Sequence, residues 1–309
     1  MKKALIFLVL LLIFAGCAQS ETADGSVSVV CTVFPEYDWV REIAGDGVSL
    51  TLLAGNGVDL HSYQPTAADV MNISACDLFI YVGGESDKWV NDVLKNRTNE
   101  DMQVISLLET LGEHAKAETL TEGMQGELDG ALDEHVWLSL KNSEIFVTEI
   151  KNALCSLSPE NAGVFEQNCE NYIAKLRALD EKYSDEFANA ENRTLIFADR
   201  FPFRYLADDY GLTCFAAFPG CSAESEASFE TVAFLAKKLA ELKLSHIMIL
   251  EGSDGRLASA VISAAKAENA VGILYLDSMQ SVTHEDISSG ISYLSVMEHN
   301  LETIKYALS

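Results

Sequence analysis

Positive charge is what this 309-residue chain has least of: 21 Lys and Arg stand against 47 Asp and Glu, a formal charge of −26. A surface this acidic repels phosphate backbones and anionic headgroups while it concentrates cations, so a nucleic-acid partner is excluded. Enzymatic signatures are missing as well. No His-Glu-x-x-His, Gly-x-Ser-x-Gly or comparable cluster appears, and the expectation is a binding protein and not an enzyme. Of seven cysteines, the six after Cys17 form no Cys-x-x-Cys pair. Cys31 and Cys76 sit in apolar contexts that suit buried thiols, and the disulfide state of Cys155, Cys169, Cys214 and Cys221 is open. Beyond the first residues no apolar run is long enough to span a bilayer.

That first run marks where the protein works. Lys2 and Lys3 precede the apolar stretch Ala4–Phe14, which closes on Ala15-Gly16-Cys17. This is a secretory signal, and small residues followed by cysteine resemble the bacterial lipoprotein pattern in which the cysteine carries lipid. Residues 1–17 are read as signal and lipidation site and 18–26 as a polar tether, which places the mature protein outside the cytoplasm and lipid-anchored to the membrane. Losing the two lysines makes its charge more negative still.

With 49% hydrophobic residues, the remaining length permits two ordinary cores. Val27–Phe34, Ser49–Leu53, Leu78–Val82 and Val104–Ile105 read as strands, with helices such as Asp38–Ala44 and Ala67–Ile73 between them. Leu195–Phe197, Thr213–Ala217, Ile247–Leu250 and Ile273–Leu276 repeat the order, with helices at Glu226–Leu242 and Gly255–Glu268. Alternating strand and helix predicts parallel sheets, hence an α/β fold with two lobes, 27–157 and 191–309. Between them, residues 158–190 read as one long helix. Ser158 caps it, Pro159 and Glu160 suit its first turn, and Phe165, Cys169, Tyr172, Leu176, Leu179 and Tyr183 form one apolar stripe. Glu113–Glu134, rich in acids and glycine, reads as a mobile acidic loop: either solvated linker or a weak cation-collecting antenna. His246, ahead of an apolar strand, reads as structural.

Two histidines stand out. Asp59-Leu60-His61-Ser62-Tyr63-Gln64-Pro65 and Asp133-Glu134-His135-Val136-Trp137-Leu138 each place imidazole next to a carboxylate and an aromatic. Neutral imidazole is a common zinc ligand, and a carboxylate on the far ring nitrogen fixes which nitrogen faces the metal. Asp59 and Asp133 are candidates for that support.

These two runs, with Tyr205–Leu212 and Tyr275-Leu276-Asp277-Ser278, resemble the zinc and manganese substrate-binding lipoproteins of ABC importers, the ZnuA/TroA-like family, from about residue 28 to the end. The resemblance implies two α/β lobes joined by a rigid helix, a single Zn2+ or Mn2+ ion in the interlobe cleft as cargo, and delivery to a membrane permease by a monomer. It also implies His61, His135 and Asp277 as metal ligands. The remaining family position, usually histidine or glutamate, falls on Arg200, whose guanidinium has no lone pair to give. Asp199, Cys221 or Glu251 would then complete the site, or water would. Arg200 is expected beside it, paired with a carboxylate such as Asp199 or Asp277. Rival readings are a metallohydrolase with Glu251 as base, a scaffold or adhesion protein with a structural metal, and a carrier of a chelated metal or anionic ligand, which Arg200 would suit.

Overall fold

The computed structural model describes residues 26–127, 130–188, 190–222, 226–266 and 270–309. The expected signal, the lipidation site Cys17 and all but the last residue of the tether lie outside that range. So do residues 128–129 of the acidic segment and the end of the Gly255–Glu268 helix.

Four strands and their helices build the first half: β1 (Val27–Cys31), α1 (Phe34–Ala44), β2 (Val48–Leu52), α2 (Ala67–Ala75), β3 (Leu78–Tyr81), α3 (Val90–Lys95), β4 (Gln103–Ser106) and α4 (Leu107–Leu111). Helices α5 (Leu140–Leu157) and α6 (Ala162–Ala188) lead into the second half. That half holds β5 (Thr194–Phe201), α7 (Arg204–Tyr210), β6 (Thr213–Pro219), α8 (Phe229–Glu241), β7 (His246–Leu250), α9 (Arg256–Ala265), β8 (Gly272–Leu276), α10 (His284–Ser288) and α11 (Tyr293–Leu308). The sheet orders are β2-β1-β3-β4 and β6-β5-β7-β8, and every pairing is parallel. Both halves therefore present the carboxyl ends of their strands as a rim of loops, the place where open α/β sheets hold ligands.

Strand β1 stops three residues before the expected Phe34. Pro35 suits the first turn of a helix, and Glu36 reaches back so that its Oε2 accepts the Thr32 and Val33 amides at 2.8 and 3.2 Å. The bond to Val33 satisfies an amide that the helix start leaves open, and the Thr32 amide is shared with the Ile80 carbonyl of β3 at 3.1 Å as the chain leaves the sheet. Strand β5 runs longer than expected, to Phe201, through a register shift between Phe197 and Arg200. The shift re-aims Asp199 and Arg200 at the strand end.

Helix α6, 27 residues and about 40 Å at 1.5 Å per residue, ties the halves together. A short 3-10 turn over Pro159–Asn161 precedes it, so Ser158 starts that turn and not the α-helix itself. Phe165, Cys169, Tyr172, Leu176, Leu179, Tyr183 and Phe187 are all buried along one stripe. Each large apolar side chain buried this way stabilises by roughly 1.5–3 kcal/mol. The stripe packs on α1 and α5 on one side and on α7 and α11 on the other. Tyr183 donates to the Met297 carbonyl at 2.6 Å, and Asn168 donates to the Ile43 carbonyl at 2.9 Å. One continuous apolar core, from Val27 to Ala307, results.

The acidic segment 113–134 is not the free loop its composition suggests. Ala117 bridges Leu132, Lys116 N–H donates to Tyr205 Oη at 2.9 Å, and Gln125 N–H donates to the Ala217 carbonyl at 2.9 Å. The segment is strapped across the second half because its backbone donors find acceptors there, which local composition could not reveal. His246 packs against Tyr306, ring centroids 4.8 Å apart. Among the described residues no helix is long and apolar enough to cross a membrane, and the cysteines are free thiols.

Candidate metal centre

His61 lies on a 3-10 turn, Leu60–Ser62, between β2 and α2. Asp59 caps the turn, its Oδ1 accepting the His61 amide at 2.9 Å. His135 opens a second 3-10 turn, Val136–Leu138, and is fully buried. The two Nε2 atoms face each other 3.1 Å apart. Two nitrogens on one tetrahedral zinc, each about 2.0–2.1 Å from it, sit about 3.3 Å from one another, so this spacing needs little change to hold an ion. Cys221, just past the end of β6, brings a thiol to the same point. Among the described residues, His61, His135 and Cys221 are the group whose donor atoms all lie within 4.8 Å of one another.

Two further contacts set this corner. Glu118 Oε1, on the strapped segment, accepts the Cys221 amide at 3.0 Å. Gly220 backs directly onto the His135 ring: a Cβ there would meet Cε1 at 2.9 Å and Nδ1 at 3.0 Å. Sequence reading placed Glu118 only within the acidic segment and gave Gly220 no role of its own, because only the fold sets them against Cys221 and His135.

The far ring nitrogens are held differently. His135 Nδ1 lies 2.9 Å from Asp133 Oδ1. His61 Nδ1 is not supported by Asp59; it lies 2.8 Å from Ser86 Oγ and 3.6 Å from Glu134 Oε2. Asp59 is turned away to bond Arg200. Both rings are thereby oriented with Nε2 toward the common point.

Burial, then the His135 charge, pushes the His61 pKa down to about 3, so it stands as neutral imidazole. Burial works against a charge on His135 too, but Cys221 and Asp133 outweigh it and raise its pKa. Burial raises the Cys221 thiol, and His135 partly offsets the rise.

The other sequence candidates sit elsewhere. Asp277 is held out of the cluster: its Oδ1 accepts the Met279 amide at 2.7 Å, and Asn300 pins its backbone at 3.0 and 2.8 Å. Glu251 is spent on Ser278, whose amide and hydroxyl donate to it at 2.9 and 2.5 Å. Burial and then the Asp277 charge raise the Glu251 pKa to about 7. Asp199 accepts from the Arg200 and Leu250 amides at 2.9 and 3.3 Å. Arg200 pairs with neither Asp199 nor Asp277; its Nη2 lies 2.5 Å from Asp59 Oδ2. Burial disfavours the Asp59 carboxylate, but that bond and charge outweigh it and hold its pKa below the ordinary range.

Behind His61 runs a line of buried acids, Glu134, Asp87 and Glu36, that sequence reading did not single out as a group. Glu134 Oε2, Asp87 Oδ1 and Glu36 Oε1 have no protein hydrogen-bond partner. Burial, then the Asp87 charge, pushes Glu36 to about 8; burial leads the rise of Asp87 to about 7.

The family model described as "Zinc-uptake complex component A periplasmic" (ZnuA) matches residues 29–307. The chain belongs to the ZnuA family. The zinc-binding lipoprotein AdcA of Streptococcus pneumoniae serotype 4 is 31% identical over 317 residues, 99% of this chain and 61% of the relative. This chain thus spans under two thirds of that relative's length. The high-affinity zinc uptake system protein ZnuA of Bacillus subtilis is 28% identical over 96% of this chain and 94% of its own. Among solved structures, the metal-dependent lipoprotein YcdH of Bacillus subtilis superposes with TM-score 0.77 at 27% identity, covering 92% of this chain and all of that one. The zinc-binding TroA of Treponema pallidum gives 0.75 at 28% identity, covering 92% and 99%. The ZnuA-family fold is two parallel sheets linked by a long helix, as α6 links them here.

Proposed function

We propose that this chain is the extracytoplasmic substrate-binding component of a metal-ion ABC importer, taking up zinc at His61, His135 and Cys221 and handing it to a membrane permease. The carrying observation is the meeting of two Nε2 atoms at 3.1 Å with a thiol in the same cluster. Two imidazoles and a thiolate suit zinc better than manganese, which prefers oxygen donors. Relatives named zinc-binding lipoprotein and zinc uptake protein support the same cargo. A relative titled as manganese-bound, 24% identical, supports only the fold. The run Lys2–Cys17 supports a lipid anchor on the outer face of the membrane.

Equilibrium dialysis of the purified full-length chain against zinc and manganese, followed by elemental analysis, tests the proposal. Retention of one zinc per chain, lost in His61→Ala and His135→Ala, is expected; tight manganese and no zinc would sink it.

A further inference from the structure

Resting on the zinc reading above, we propose that Glu118 is a positioning residue for the metal site: carried on a short ladder at the base of the acidic segment, it sets the Cys221 thiol against His135 and so confers the preference for zinc. Cys221 follows β6 of the second sheet, whereas His135 follows the acidic segment, so neither sheet by itself sets the spacing of these two donors.

A two-rung antiparallel ladder does. Glu118 N–H donates to the Ala131 carbonyl at 2.9 Å and Asp133 N–H to the Lys116 carbonyl at 2.8 Å, on either side of the Ala117–Leu132 bridge. One arm carries Glu118; the other runs directly into Asp133 and His135. Asp133 Oδ1 accepts the His135 amide at 2.9 Å and lies 2.9 Å from its Nδ1. The His135 ring is thus tied to the same rungs as the Glu118 side chain.

The second half grips this ladder at two points. Buried Tyr205 of α7 accepts from the Lys116 amide at 2.9 Å and donates to the Asp133 carbonyl at 3.2 Å, which closes the ladder's open end. Glu118 Oε1 accepts the Cys221 amide at 3.0 Å. Farther out, Gln125 brackets the thiol-bearing loop: its N–H donates to the Ala217 carbonyl at 2.9 Å, its Nε2 to the Glu226 carbonyl at 3.3 Å, and its Oε1 accepts the Ser228 amide at 2.5 Å. Gly220 already lies against the His135 ring, so the next amide, that of Cys221, is where the path of the chain past that ring is set. Of the three donors, a thiolate discriminates most strongly against oxygen-preferring cations. Groups that only orient a ligand typically contribute about 10–100-fold in metal affinity.

The test compares Glu118→Ala with Glu118→Gln, which keeps an oxygen acceptor of the same reach, in full-length chain loaded with cobalt, zinc or manganese. The parent should show a thiolate-to-cobalt charge-transfer band. Glu118→Ala should lose most of that band and bind zinc about 10-fold more weakly, with manganese affinity little changed. Glu118→Gln should retain the band and the affinity, and in a Cys221→Ser background Glu118→Ala should cost little more. A parental band and parental zinc affinity in Glu118→Ala would overturn the proposal, as would equal losses in Glu118→Gln, or zinc and manganese weakened alike. Absence of the band from the parent would overturn the assignment of Cys221 as a ligand, and the proposal with it.

Discussion

Arg200, at the end of a strand in the second lobe, reaches Asp59 in the first, with Nη2 2.5 Å from Oδ2. The other oxygen of the same carboxylate holds the His61 amide at 2.9 Å. One aspartate thus links the second lobe to the His61 turn in the first. A charged, partly buried pair of this kind is geometrically specific and couples its two residues.

Breaking the pair should loosen the His61 turn. Asp59→Asn and Arg200→Ala are each expected to weaken zinc binding by about 10-fold, or ~1.4 kcal/mol. The double variant should be little worse than either single one. Competition titrations at fixed ionic strength check this, and fully additive losses would show that the two residues act independently.

Cys221→Ser exchanges a soft donor for a weakly basic hydroxyl. Zinc affinity should fall by at least ~10-fold while manganese affinity changes little, because thiolate selects for zinc. In the cobalt-substituted parent a thiolate-to-metal charge-transfer band is expected, and it should vanish in the variant. Asp277→Asn should cost less than Cys221→Ser; the reverse order would restore Asp277 as the principal ligand from the second lobe.

Gly220→Ala tests the close approach behind His135. Its added Cβ would sit 2.9 Å from the ring and 3.0 Å from the Phe201 carbonyl oxygen, a backbone atom that yields poorly. The ring must move off its line to His61, so zinc binding should weaken by about 10-fold with the far-ultraviolet circular dichroism unchanged. Parent-like affinity would mean that the loop gives way more easily than the contact implies.

Stability should decline as pH rises through the range set by Glu36. Burial and the Asp87 charge raise its pKa from 4.5 to about 8 in the folded protein. Between those values the folded state keeps a proton that the unfolded state has released, so each step up in pH favours unfolding, and the effect levels off above about 8. Glu36→Gln keeps a neutral acceptor for the Thr32 and Val33 amides and removes this slope. Urea denaturation at pH 5, 7 and 9 should show the variant gaining on the order of 1–3 kcal/mol over the parent at the highest pH. An equal pH slope in both proteins would contradict the buried-proton account.

Local pattern carried much of the architecture. The stripe from Phe165 to Tyr183 was readable because helix periodicity needs only near neighbours, and all six of its residues are buried. Strand ends were less readable. Glu36 ends β1 early through its own carboxylate, and a register shift carries β5 past Phe197. The acidic segment 113–134 misled because composition reports solvation tendency, whereas Lys116 and Gln125 are anchored by residues 89 and 92 positions away.

By itself the sequence determined the charge, the two strand–helix halves, the joining helix and the two histidine turns, since each depends on spacing or residue type along a short stretch. Tertiary structure decided which donors meet. His61 and His135 are 74 residues apart, yet their Nε2 atoms face each other; Cys221 joins them, while Asp277 is turned into its own loop. Ser86 holds the His61 ring nitrogen in the place expected for Asp59, whose carboxylate instead bonds Arg200 and the His61 amide. Side chains of one chemical type compete for the same partners, and distance through space, which only the packed lobes and α6 set, selects among them.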